Sequence, residues 1–241
     1  MRAGRLSYLL FAAATLAFPS RGLAQDTVRA IPGTWGAAPT VGTDTASVYF
    51  LRNGNRQLGI TYVETISATS DGFLLVQRNV RPNGALVTLD SISMAKETLA
   101  PLWHADVTPR GSMRVSFAGG RMRGSATDTA GVVTVVDTTV PPGALDFSVA
   151  GSFVRLLPLR ADYAAVLLSY DIHRGVIYTS VRVDGEEDIE IGGTRAQTWK
   201  VAITNGGRTT QHWIDQRTRR ELRVTVDMGS AQMIMERKPA R

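Results

Sequence analysis

The chain contains no cysteine. This excludes disulfide bracing, thiolate catalysis, cysteine-ligated metal and the lipid-modified cysteine of a bacterial lipoprotein. Aromatic residues make up only 7% of the sequence, too few for the two aromatic girdles of a transmembrane β-barrel. Histidine is confined to His104, His173 and His212. There is no Gly-x-Ser-x-Gly nucleophile elbow and no glycine loop opening a phosphate-binding helix. Lysine is scarce, so arginine carries the positive charge, and it is dispersed along the chain. The densest patch, Arg217, Arg219, Arg220 and Arg223, reads as a solvated turn and strand edge, which resists aggregation. A nucleic-acid binder gathers its basic residues on one face, so no nucleic-acid partner is expected. The formal charge is +6, of which Arg2, Arg5 and Arg21 supply half.

Those arginines belong to a leader. Arg2 and Arg5 precede an apolar run over residues 6–18, and Gly22-Leu23-Ala24 places small residues where a signal peptidase reads. The run is short for a span of about 20 residues. Residues 1–24 are therefore read as a signal peptide cleaved before Gln25. The mature protein is expected to be periplasmic or secreted, and not transmembrane after cleavage. Residues 25–45 carry Pro32, Gly33, Gly36, Pro39 and Gly42 and read as an extended arm or linker, with Trp35 pinned on the domain. Residues 46–241 form one antiparallel β domain.

The organising stretch is 175–236. Trp199, Val201 and Ile203 alternate with Lys200, Ala202 and Thr204. Asn205-Gly206-Gly207 turns the chain, and Thr209, Gln211 and Trp213 alternate back. A period of two marks half-buried strands, and Asn-Gly supplies the positive φ of a tight hairpin. Arg52-Asn53-Gly54-Asn55 and Arg81-Pro82-Asn83-Gly84 predict further hairpins. Pro101 confines its segment to an edge or a strand beginning. Glu186-Glu187-Asp188, after Asp184-Gly185, reads as a solvated acidic turn, since it lacks the ligand spacing of a calcium hand. Val140-Pro141-Pro142-Gly143 breaks the chain before the one expected helix, 146–157, which Asp146 would cap and Pro158 would stop. The fold class is all-β and mainly antiparallel, expected as a single strongly curved sheet or half-barrel with one short helix.

The order of these features resembles a bacterial exported family classed as a domain of unknown function, itself similar in fold to the LolA and LolB lipoprotein carriers. The resemblance runs from Tyr49 to the C-terminus. It rests on Gln57-Leu58-Gly59, Glu97-Thr98-Leu99-Ala100-Pro101-Leu102, Leu156-Leu157-Pro158-Leu159, Val181-Arg182-Val183-Asp184-Gly185-Glu186-Glu187, Thr198-Trp199-Lys200-Val201 and Trp213-Ile214-Asp215. It implies a periplasmic half-barrel whose concave apolar face shelters an acyl chain or other hydrophobic ligand. It carries over no catalytic motif.

Catalytic and metal readings rest on two histidine–carboxylate pairs. His104 and Asp106 lie two apart, on one face of a strand, and Asp171 and His173 share that spacing at a turn. Neither pair has an evident third ligand, so no metal, cofactor or catalytic residue is assigned. His212 and Asp215 differ by an odd number and would face opposite ways. The aromatics Trp103, Tyr178, Trp199 and Trp213 are the residues expected to line a ligand face, while the simpler reading of Trp199 and Trp213 is a cross-strand core pair around the Asn205 turn. The expected function is an exported β domain binding a lipid-like or other hydrophobic ligand. One alternative is a structural or protein-binding cell-envelope module, with an envelope protein as partner. Another is an envelope hydrolase using His104 or His173.

Overall fold

A computed structural model describes residues 26–29 and 33–237. The expected signal peptide lies outside the described residues. The first half holds β1 (Asp26–Val28), β2 (Gly42–Arg52), β3 (Asn55–Ala68), β4 (Gly72–Val80) and β5 (Leu86–Ala95). It continues with β6 (Pro101–Thr108), β7 (Gly111–Ala118), β8 (Arg121–Asp128) and β9 (Val133–Thr139). A connecting segment carries β10 (Leu145–Asp146), the helix α1 (Phe147–Phe153) and a 3-10 turn, Val154–Leu156. The second half is β11 (Ala164–Asp171), β12 (Gly175–Ile191), β13 (Thr194–Asn205), β14 (Arg208–Asp215), β15 (Glu221–Asp227) and β16 (Gln232–Glu236).

All sixteen strands join one sheet. Two antiparallel meanders, β2 to β9 and β11 to β16, are spliced where β16 pairs β2. β1 and β10 both add to β11 in parallel. The all-β, mainly antiparallel class with a short helix is therefore the observed one. The half-barrel and the LolA-like architecture are not. The sheet is open, neither closed nor strongly curled, with β1 and β9 at opposite ends of the strand order and no ladder between them. The cause lies after β9. Pro141 and Pro142 have no backbone N–H to continue a ladder, so the chain leaves the sheet and lays α1 across one face. It touches the sheet as the two-residue β10 just before α1 and returns in full as β11, which lies next to β1 at the other end of the order.

Local chemistry explains the elements. Asn53 and Gly54 take positive φ of 50° and 76°, as a two-residue hairpin requires. Pro101 opens β6, the position a strand tolerates for proline. Asp146 caps α1 by accepting from the Ser148 amide at 2.9 Å. The helix is shorter than expected, because its last turn tightens into the 3-10 form before Pro158. The acidic turn at 186–188 is also corrected. These residues lie within β12, which continues past a bulge between Val183 and Gly185. Lys200 pairs Glu187 at 3.0 Å and Arg195 pairs Asp188 at 2.6 Å across the strands, which offsets the acidic residues' poor strand preference.

The connecting segment builds the core. Val154 and Leu157 pack with Ala165, Leu167, Val181, Val201 and Ile214 of the second meander. Val149, Phe153 and Leu156 pack with Ile66, Leu75 and Ile92 of the first. Trp35 lies edge-on to Phe153 with ring centroids 5.6 Å apart, and its indole N–H donates to the Thr98 carbonyl at 3.0 Å.

Candidate functional site

The ladder registers sort side chains onto two faces. Thr179 and Val181 of β12, Val201 and Ile203 of β13, and Thr210 and His212 of β14 share the face that α1 covers. The helix does not fill the space above them. A cavity of about 480 Å³ remains, with Phe147, Ala150 and Gly151 on the helix side and Thr179, Ile203 and His212 on the sheet side. Gly151 helps to open it: a Cβ there would meet nothing within 4 Å. Arg174, from the turn before β12, and Arg208, the first residue of β14, also line the cavity. The Arg174 guanidinium sits 4.3 Å from the Phe147 ring centroid and donates to Asp171 at 3.0 Å. Arg208 has no carboxylate partner among the described residues, and the buried Thr179 hydroxyl has no hydrogen-bond partner there either.

Behind the cavity runs a chain of buried polar groups. His212 Nδ1 lies 2.6 Å from Glu221, and its Nε2 lies 2.7 Å from the Thr210 hydroxyl. Arg237, 1% exposed, donates to Glu221 at 2.8 Å. Burial would raise the Glu221 carboxyl, but the His212 bond and the charges of His212 and Arg237 win and hold it at about 2. Farther along the face, Glu64 is 2% exposed. It accepts from Tyr62, Ser152, Gln77 and Arg155. Burial opposes its charge, yet Arg155 and Arg237 hold its carboxyl below the usual range. Glu64 thus ties β3 to the C-terminal end of the helical segment.

The histidine pairs noted in the sequence converge. His104, Asp106, Asp171 and His173 all line one small cavity of about 120 Å³, together with Asp146. His104 Nδ1 donates to Asp146 at 2.9 Å, and its Nε2 stands 3.5 Å from Asp90, a charge contact outside good hydrogen-bond geometry. Burial would lower the imidazole, but Asp146 and Asp90 outweigh it and push the pKa up to about 10. A ring held as a cation at neutral pH has no lone pair to act as a general base. His104 instead clamps the residue that caps α1. Among the described residues no group of three or more His, Cys, Asp or Glu is placed to hold a metal ion. Asp215 caps its own turn, accepting from the Arg217 and Thr218 amides. The true partner of His212 is Glu221, which the bulge between Trp213 and Ile214 sets opposite Ile214 and so onto the face of His212, whose own ladder partner is Val224.

The four aromatics do not share one wall. Trp199 pairs Ile214 and Trp213 pairs Lys200, so the two rings point to opposite faces. Trp199 packs on the core beneath the helical segment. Trp213 joins Ile189, Ile191, Ala196 and Leu222 in a cluster of its own. Trp103 is half-buried under Arg114, 5.5 Å from its ring centroid, on the face opposite His104. Tyr178 is 63% exposed on β12. The cavity itself carries no motif; its signal is a glycine in the helix above an alternating strand pair.

The family described as "Protein of unknown function (DUF3108)" matches residues 40–236, and the chain belongs to it. Among solved structures, the chain is similar to the beta-barrel-like protein of domain of unknown function DUF1849 from Brucella abortus. That match has 10% identity and a TM-score of 0.46, and covers 83% of this chain and 100% of that one. It is also similar to the hypothetical lipoprotein YmcC from Escherichia coli K12, at 13% identity and a TM-score of 0.34, covering 81% of this chain and 87% of that one. No curated protein matches. No helix among the described residues is long and apolar enough to cross a membrane.

Proposed function

We propose that this DUF3108 protein is an exported, non-catalytic envelope domain that binds a lipid-like or other hydrophobic ligand between α1 and strands β12–β14. The cavity of about 480 Å³ walled by Phe147, Ala150 and Ile203 carries this reading. Its size falls within the range of about 300–1,000 Å³ for small-ligand sites. Apolar surface withdrawn from water there contributes about 25 cal/mol per Å². Export rests on the leader pattern of Arg2, Arg5, the apolar run and Gly22-Leu23-Ala24.

Native mass spectrometry of protein purified gently from the periplasm tests this. A co-purifying hydrophobic molecule, lost in Ile203→Trp while the fold persists, is the expected result. A clean apo mass, with no uptake of a fatty-acid probe, counts against it. One observation favours a second reading, a protein-binding module. β9 ends the strand order, and Val133 and Val135 on it are 61% and 79% exposed. An unpaired apolar edge suits strand addition by an envelope protein.

A further inference from the structure

We infer that the ligand of this cavity is a single-chain amphiphile with an anionic head of the carboxylate or phosphate class; this rests on the cavity reading above. The charge of the lining is one-sided. Arg174 and Arg208 line the cavity and no aspartate or glutamate does. Arg208 has no carboxylate partner among the described residues, so its whole fork of donors is open to a ligand. Arg174 is held over the Phe147 ring and commits one nitrogen to Asp171. A planar guanidinium fits carboxylate and phosphate oxygens in a bidentate manner.

Polar satisfaction points the same way. Thr210 and His212 bond each other, so they make no demand on a ligand. The Thr179 hydroxyl is different: its residue is 4% exposed and the oxygen has no partner. A buried unpaired hydroxyl costs stability unless something bonds it. Ser180 pairs Thr204, so Thr179 stands at the same end of the strands as Asn205 and Arg208. Arg174, Asn205 and Arg208 therefore gather at the mouth, with Phe147 under Arg174 and the buried Thr179 hydroxyl just inside, and the wall beyond them is Ile203 and Ala150. This is the layout of a head site and a tail site. The volume, in the lower part of the small-ligand range, suits one alkyl chain.

Calorimetric titration of delipidated protein separates the possibilities, using dodecanoate, dodecyl phosphate, dodecanol and inorganic phosphate. Both anionic amphiphiles should bind about tenfold or more tightly than dodecanol, the value of one charge-assisted bond. The pair Arg174→Gln/Arg208→Gln should remove that advantage, bringing dodecanoate and dodecyl phosphate down to the affinity of dodecanol for the same variant. Inorganic phosphate alone should not bind measurably. Equal affinity for dodecanol and dodecanoate would overturn the anionic head while leaving the cavity reading standing. Phosphate binding as tight as dodecyl phosphate would overturn the amphiphile. Failure of every alkyl probe, with Ile203→Trp making no difference, would remove the cavity reading itself.

Discussion

Raising the pH should unlock the clamp on α1. His104 has a folded-state pKa of about 10 against 6.5 for a free imidazole. The folded state therefore binds one more proton than the unfolded state throughout that interval. Each pH unit is worth 1.36 kcal/mol, which gives about 5 kcal/mol in all. Because the folded pKa is raised, this stabilisation is fully present below pH 6.5 and is lost as pH rises toward 10. There is no cysteine to titrate in the window, burial drives the Tyr62 phenol well above its usual 10, and the difference between wild type and His104→Gln cancels what the other groups contribute. Urea unfolding followed by far-UV circular dichroism at half-unit steps from pH 6 to 9.5 measures the slope. Wild type should lose close to 1.4 kcal/mol per unit between pH 7 and 9.5. His104→Gln should start lower and run nearly flat. A wild-type curve as flat as the variant would refute the cationic clamp, whatever the absolute stabilities.

Glu221 supplies the acid counterpart. Its folded pKa of about 2, against 4.5, is depressed, so its contribution of about 3 kcal/mol is present above pH 4.5 and lost as pH falls toward 2; Glu221→Gln should blunt acid unfolding over that range. Glu64→Ala leaves Arg155 buried without its carboxylate and should cost about 3–5 kcal/mol; a urea midpoint shift equivalent to less than 1 kcal/mol would remove Glu64 as an anchor. At Gly124 an added Cβ would lie 2.0 Å from the Arg114 carbonyl oxygen and 2.7 Å from Val115 Cα across the β7–β8 ladder. Gly124→Ala should therefore cost about 1–3 kcal/mol in thermal unfolding, and an unchanged melting temperature would show that the two strands can part at no expense.

Local features were legible because they are settled by neighbouring residues. Asn53-Gly54 and Asn205-Gly206-Gly207 announce their turns through backbone strain alone, and Asp146 announces the helix start. The direction the sheet takes is different. Alternation tells which residues share a face and not how the faces are disposed, and the splice of β16 onto β2 joins segments nearly two hundred residues apart. The acidic run 186–188 was misleading because the basic residues that make it tolerable, Arg195 and Lys200, sit on the next strand. His104 shows the same limit. Its visible neighbour was Asp106, two residues on, whereas its partner Asp146 arrives with α1 from forty-two residues away. Glu64 carries no signal beyond being a carboxylate in an apolar strand, which is itself a reason to look for a buried cation.

These clamps bear on how the cavity works. A helix of seven residues is too short to persist by its own hydrogen bonds. α1 is nonetheless fixed at both ends, by the His104 ion pair to its cap and by Glu64, which accepts from Ser152 near its end and pairs Arg155 just beyond, with Val149 and Phe153 buried between. Lifting it would break both clamps and expose that apolar side, so the helix is a fixed roof and not a lid. A ligand would then enter past Arg174 and Arg208, and the cavity would be open before binding. Hydrogen exchange followed by mass spectrometry decides this. At pH 7, peptides covering α1 should be protected to nearly the same degree as β12 and β13, with or without dodecanoate. His104→Gln or Glu64→Ala should loosen α1 before the strands. Rapid exchange of α1 in the wild type, slowed sharply by dodecanoate, would instead make the helix a moving gate and place the entry route beneath it.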